Sequence, residues 1–127
     1  KKDLSKLNLR LKEAMISACE QSGCNHLPSI DYFDGLNKCL QSAKMISDFE
    51  GLFVLDTIAN QFIKDHEILS LQSISIITGP ESGFSTTERK IISKLGLQSL
   101  KIGHYVLRAE TAAVIGLSKF HSLFGEY

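Results

Sequence analysis

The feature that most restricts the fold is Gly51-Leu-Phe-Val-Leu-Asp56, a short and almost wholly apolar run. A strand of this kind is expected only where both faces are buried, as in a sheet covered by helices on each side. Ser73-Ile-Ser-Ile-Ile-Thr78 is a second β-rich run and stops abruptly at Gly79-Pro80. Leu97 to Ile102 reads as a third strand, followed by a loop from Gly103 to Arg108. Helical patterns stand between and around these runs. Leu4, Leu7, Leu11, Ala14 and Ala18 recur at helical steps over about Leu4 to Gln21, and Ser22, Gly23 and Asn25 end the pattern. Asp34 to Met45 carries a weaker one, with Leu36, Cys39, Leu40 and Ala43 on one side, and a further stretch is expected near Asn60 to Leu69. Ser85-Thr-Thr-Glu88 fits a capping box opening a helix with Ile91, Ile92 and Leu95 on its apolar face and Gly96 as its stop. Glu110 to Phe124 is the last helix, with Ala113, Leu117, Phe120 and Phe124 at helical spacing. Strands alternating with helices define an α/β domain with a mainly parallel sheet.

Length and charge exclude more than they assign. A chain of 127 residues, 43% hydrophobic, can bury a core of its own as one domain. No apolar run approaches a membrane span, and Lys1 to Arg10 lacks the apolar centre of a signal peptide, so a cytoplasmic protein without a membrane partner is expected. Lys plus Arg and Asp plus Glu are each 14, so any affinity for nucleic acid must come from a local patch. Cys19, Cys24 and Cys39 lack CxxC spacing and read as reduced thiols, and the four histidines show no metal-ligand spacing; no metal site is expected.

In an open parallel sheet ligands bind beyond the carboxyl ends of the strands, which points to three loops: Asp56 to Asn60, Gly79 to Phe84, and Gly103 to Ala109. The middle loop places glycines at 79 and 83 around Pro80 and Glu81, a stiff turn that lets a ligand approach the backbone. It lacks both GxGxxG and a phosphate-loop lysine, and alone it reads first as a tight strand-to-helix turn. The third loop joins Arg108, Glu110 and Thr111 at the mouth of an alanine-rich helix; alone it reads as an N-cap at Thr111 and an Arg108–Glu110 surface pair.

Taken in order, TGPESGFSTTE (78–88) and IGHYVLRAETAA (102–113) resemble GPEGGFSxxE and LGxRILRxETA, signatures of the ribosomal RNA small-subunit methyltransferases that make N3-methyluridine. EAMISACEQSGCNHLPSI (13–30) is similar to that family's xxxAxEQSxRxxxPxI segment. The resemblance implies a SPOUT fold, an α/β domain with a deep C-terminal trefoil knot, usually a homodimer, acting on 16S ribosomal RNA with S-adenosylmethionine as donor and S-adenosylhomocysteine as product. By position it implies a cofactor site of Leu55, Asp56, Gly79, Glu81, Gly83, Ile102, Gly103, Leu107, Arg108 and Thr111, with the backbone of Ile102 and Leu107 reading adenine. Arg108 and Glu110 are the catalytic candidates, Arg108 to stabilise the uracil anion; Glu81 and Glu110 are the carboxylates that could act as base, and Glu110 could instead brace Arg108.

Three departures bear on this. Ser82 replaces a usual glycine, and Tyr105 and Cys24 each replace an arginine, which weakens the expectation of phosphate contacts more than that of cofactor binding. The family also carries an N-terminal PUA-like RNA-binding domain, then a first strand and helix of the SPOUT domain. Residues 1–127 are therefore expected to be a partial SPOUT domain from a longer protein, with part of its sheet left unpaired. The alternatives are the same fold acting on another RNA position, and a cofactor- or RNA-binding module without turnover.

Overall fold

A computed structural model describes residues 4–42, 50–62 and 71–124. They fall into two compact units, residues 1–32 and 33–127. The first holds helix α1 (Leu4–Ser22) and the segment after it. The expected apolar face of α1 is displaced: Leu11, Met15 and Cys19 are its half-buried positions, whereas Leu7, Ala14 and Ala18 are exposed. A four-residue step drifts round a helix of 3.6 residues per turn, so neighbouring stripes compete for one surface.

The second unit runs α2 (Leu36–Ser42), β1 (Gly51–Leu55), β2 (Ile74–Thr78), α3 (Thr86–Lys94), β3 (Gln98–Leu100) and α4 (Ala109–Phe124). Its sheet has the order β2-β1-β3, with both pairs parallel. The apolar character of β1 has the cause expected. Phe53 joins Leu100 and Phe120 in one buried cluster and stacks on Phe120 of α4 at 5.4 Å between ring centroids. Val54, one residue on and facing the other way, joins Phe84 and Ile92 beside α2 and α3. Helices thus cover the central strand on both sides.

Gly116 sets the depth to which α4 sinks onto the sheet. A Cβ there would stand 2.6 Å from Leu55 Cδ1 and 3.3 Å from Ile76 Cδ1.

Some boundaries differ from expectation. β3 is confined to Gln98–Leu100 because its partner β1 turns away after Leu55, and pairing resumes only at an isolated Phe62–Lys101 bridge. Gln61 and Phe62 are therefore extended and not part of a helix; the rest of that expected helix, 63–69, lies outside the described residues, as does the end of the helix expected to reach Met45.

Helix α3 begins as the capping box requires. The Ser85 side chain accepts from the Glu88 amide, and the Ser85 amide donates to Glu88 Oε2 at 2.8 Å. That backbone amide first, and the Ser85 hydroxyl second, hold the Glu88 pKa below its ordinary 4.5. A carboxylate with a depressed folded pKa stabilises above its unfolded pKa, and the contribution fades as pH falls through the folded value. Urea midpoints of the wild type and Glu88→Gln should therefore differ by a constant amount at neutral pH and converge below pH 4.5. Ser85→Ala should cost about 1 kcal/mol at neutral pH.

Candidate active site

The three loops beyond the strand ends converge. β1 passes into its loop at Asp56, whose amide donates to the Leu100 carbonyl at 3.0 Å and whose Oδ1 accepts from the Ile58 amide at 3.2 Å. That turn sends the chain back to Gln61, whose carbonyl accepts from the Lys101 amide at 2.7 Å, so the first loop is laced to the start of the third. The His104 ring meets Phe62 edge-on at 5.2 Å on the same seam.

The second loop is fastened by an ion pair. Asp56 has a side chain 5% exposed, and Arg89 Nη1 and Nη2 both donate to its carboxylate. Arg89 Nε also donates to the Phe84 carbonyl at 3.1 Å, so one guanidinium ties the first loop to the second. Within the second loop the Gly83 amide donates to the Pro80 carbonyl at 2.8 Å, closing a turn that the chain leaves through Gly83 at φ +78°, a conformation that favours glycine.

Between the loops lies a cavity that is partly open to solvent. Of the residues expected at the site, Leu55, Asp56, Gly79, Glu81, Gly83, Ile102, Gly103 and Leu107 line it, together with Thr57, Thr78, Pro80, Phe84, Lys101, Tyr105, Val106 and Ala112. Arg108, Glu110 and Thr111 stand outside this lining. Arg108 is largely exposed, and the carboxylate that approaches it is Glu81, at 3.9 Å from Nε, instead of the expected Glu110. Thr111 is also not the cap of α4: the helix starts at Ala109, and the Arg108 carbonyl takes its first bond from the Ala112 amide at 2.8 Å. Chain direction explains both, since Glu110 is already wound into the helix, away from the loop that carries Arg108.

Among the described residues, the amides of Ile102 and Leu107 find no hydrogen-bond partner within the chain. Both residues are half-buried at the cavity wall, where two unpaired donors suit a ligand with acceptor nitrogens. Among the described residues there is no group of three or more His, Cys, Asp or Glu able to hold a metal, and no helix long and apolar enough to cross a membrane.

Arg89 is the residue that sequence reasoning missed. Its partner is 33 positions away, beyond any local pattern. One signal was present: a cation at the fourth position after the Ser85 cap opposes the helix dipole, so something else must hold it.

An α/β domain with a cavity at the carboxyl ends of parallel strands has the arrangement in which such sheets bind small molecules. Its family is narrower: residues 1–121 match the model of the RNA methyltransferase domain, and the chain belongs to that family. It is similar to the ribosomal RNA small subunit methyltransferase E of Mesomycoplasma hyopneumoniae, 32% identical over 119 residues, covering 92% of this chain and 49% of that protein. Two solved structures share the SPOUT-type α/β fold. One, from Legionella pneumophila, is assigned as a methyltransferase and holds S-adenosylmethionine (30% identity, TM-score 0.79, 96% of this chain and 50% of that one). The other is a ribosomal RNA small subunit methyltransferase E from Neisseria gonorrhoeae bound to S-adenosyl methionine (30% identity, TM-score 0.74, 94% and 49%). The chain thus spans about half the length of the relatives it matches.

Proposed function

We propose that this chain forms the cofactor site of an enzyme that methylates a uridine of 16S ribosomal RNA at N3, using S-adenosylmethionine and releasing S-adenosylhomocysteine. The observation that carries the proposal is the single cavity onto which three separate loops of the sequence converge. Leu55, Phe84, Ile102 and Leu107 offer apolar walls to a nucleoside, the unpaired amides of Ile102 and Leu107 offer donors to adenine nitrogens, and Glu81 offers a carboxylate to a cationic ligand. When bound, S-adenosylmethionine supplies an activated methyl group, so alignment is the protein's main contribution.

In this reading Asp56 shapes the wall of the site and braces its loops, because Arg89 engages its carboxylate and Leu100 and Ala59 engage its backbone. Arg108, exposed beside the cavity with Glu81 near its Nε, is placed to receive the uracil edge and stabilise the charge left when N3 loses its proton. Glu81, which lines the cavity and approaches Arg108, and Glu110, two residues after Arg108, are the candidate proton acceptors. A knotted C-terminal path and a homodimer belong to the same proposal and rest on the resemblance alone.

The test is methylation of small-subunit particles lacking the modification, followed by digestion to nucleosides and mass spectrometry. N3-methyluridine is expected. Arg108→Ala should lower the rate on the order of a hundredfold while leaving affinity for S-adenosylhomocysteine within a few-fold. A methyl group on any other atom contradicts the assignment.

A further inference from the structure

The C-terminus of α1 brings two cysteines together by backbone geometry. Gly23, at φ +72°, follows the last residue of the helix, and the Cys24 amide donates to the Cys19 carbonyl at 3.0 Å. This is the six-to-one bond of a Schellman cap, an arrangement that sets the side chains at its two ends against each other. The two ends are usually apolar; here both are thiols. Each donates to one and the same oxygen, the His26 carbonyl, with Sγ at 3.5 Å for Cys19 and 3.4 Å for Cys24. Both sulfurs therefore face the same oxygen, and side chains that converge in this way are what a disulfide between them requires.

From this cap we infer that Cys19 and Cys24 are a reversible dithiol–disulfide pair. Cys24 is exposed and Cys19 half-buried, which sets the order of events. The Cys24 thiolate attacks one sulfur of a low-molecular-weight disulfide such as oxidised glutathione, displacing one thiol and forming a mixed disulfide. The Cys19 thiolate then attacks Cys24 Sγ and expels the second thiol. Two protein thiols are oxidised, and the small disulfide is reduced to two thiols. Partial burial first, and the neighbouring Cys24 second, push the Cys19 thiol above its ordinary 9.0, in keeping with its part as the second, intramolecular nucleophile. Closing the bond takes both S–H donors away from the His26 carbonyl and pins the end of the helix covalently.

Cys39 makes an internal control. Cleavage by trypsin after Lys12 and Lys38 leaves Cys19 and Cys24 on one peptide and puts Cys39 first on the next. The chain is equilibrated in glutathione buffers of increasing oxidised fraction, quenched with an alkylating agent, digested and weighed. The expected result is a 13–38 peptide two hydrogens lighter and unalkylated, while Cys39 remains alkylated. Cys19→Ser should instead trap glutathione on Cys24. Gly23→Ala meets no atom within 4 Å and acts only through its left-handed backbone, so it should weaken ring closure about fivefold. Glutathione on both cysteines without ring closure, a bond to Cys39, or a Gly23→Ala chain that closes as readily as the wild type would each overturn the inference.

Discussion

Arg89→Met should lower the stability of the α/β unit by about 2–4 kcal/mol, with a matching fall in the urea midpoint and little change in slope. Removing one partner of a fully buried ion pair costs roughly 3–5 kcal/mol, because a desolvated charge is left behind. The Asp56 side chain is 5% exposed and Arg89 35%, so solvent already screens the cation and the lower part of that range applies. The two partners should not be equivalent. Among the described residues, the Asp56 carboxylate without Arg89 keeps only the Ile58 amide, whereas without Asp56 the guanidinium keeps the Phe84 carbonyl and a route to water. Asp56→Asn should therefore cost roughly half as much, about 1–2 kcal/mol. The double variant should cost less than the sum of the two, which is the coupling a mutant cycle reads. Equal costs for the two single variants would mean that the pair does not hold the loops as described.

The second large effect separates stability from binding. Gly116→Val should destabilise by about 2–3 kcal/mol, since three new carbons enter where even one stands 2.6 Å from Leu55 Cδ1. Gly116→Ala is the more informative variant. Its one added carbon meets the far ends of Leu55 and Ile76, which can turn aside, and leaving glycine in a helix interior regains about 1 kcal/mol. The melting temperature should change little. Yet Leu55 lines the cavity, and a displaced Leu55 intrudes on whatever fills it. Affinity for S-adenosylhomocysteine should fall about tenfold, a loss of roughly 1.4 kcal/mol. A variant with unchanged melting and unchanged affinity would show that Leu55 gives way without touching the site.

Much of this could be read from the residues. The apolar run 51–55 gave away a doubly covered strand, because no strand with a wet face reads so, and Ser85 with Glu88 marked the start of α3 to the residue, since a capping box allows few registers. The convergence of the three loops followed from parallel pairing, which puts all strand ends on one side. What the sequence hid were contacts made across distance: the grip of Arg89 on Asp56, the split of the third strand caused by the turn at Asp56, and the choice of Glu81 over Glu110 beside Arg108. Each depends on how one loop lies on another, which no local periodicity encodes. The α1 face was misread for a different reason: adjacent apolar stripes were nearly equal in the sequence, and packing chose between them.

The most direct test of the account is the unfolding of this chain in the presence of S-adenosylmethionine or S-adenosylhomocysteine, with ATP as a control nucleotide. At about a hundredfold excess over its dissociation constant, a ligand bound only by the folded state adds roughly 2.7 kcal/mol. That stabilisation is expected for both adenosyl compounds and should be absent with ATP. Cooperative unfolding of a well-folded chain at an unchanged midpoint, at every concentration of either compound, would contradict the claim that the three loops enclose a methyl-donor site.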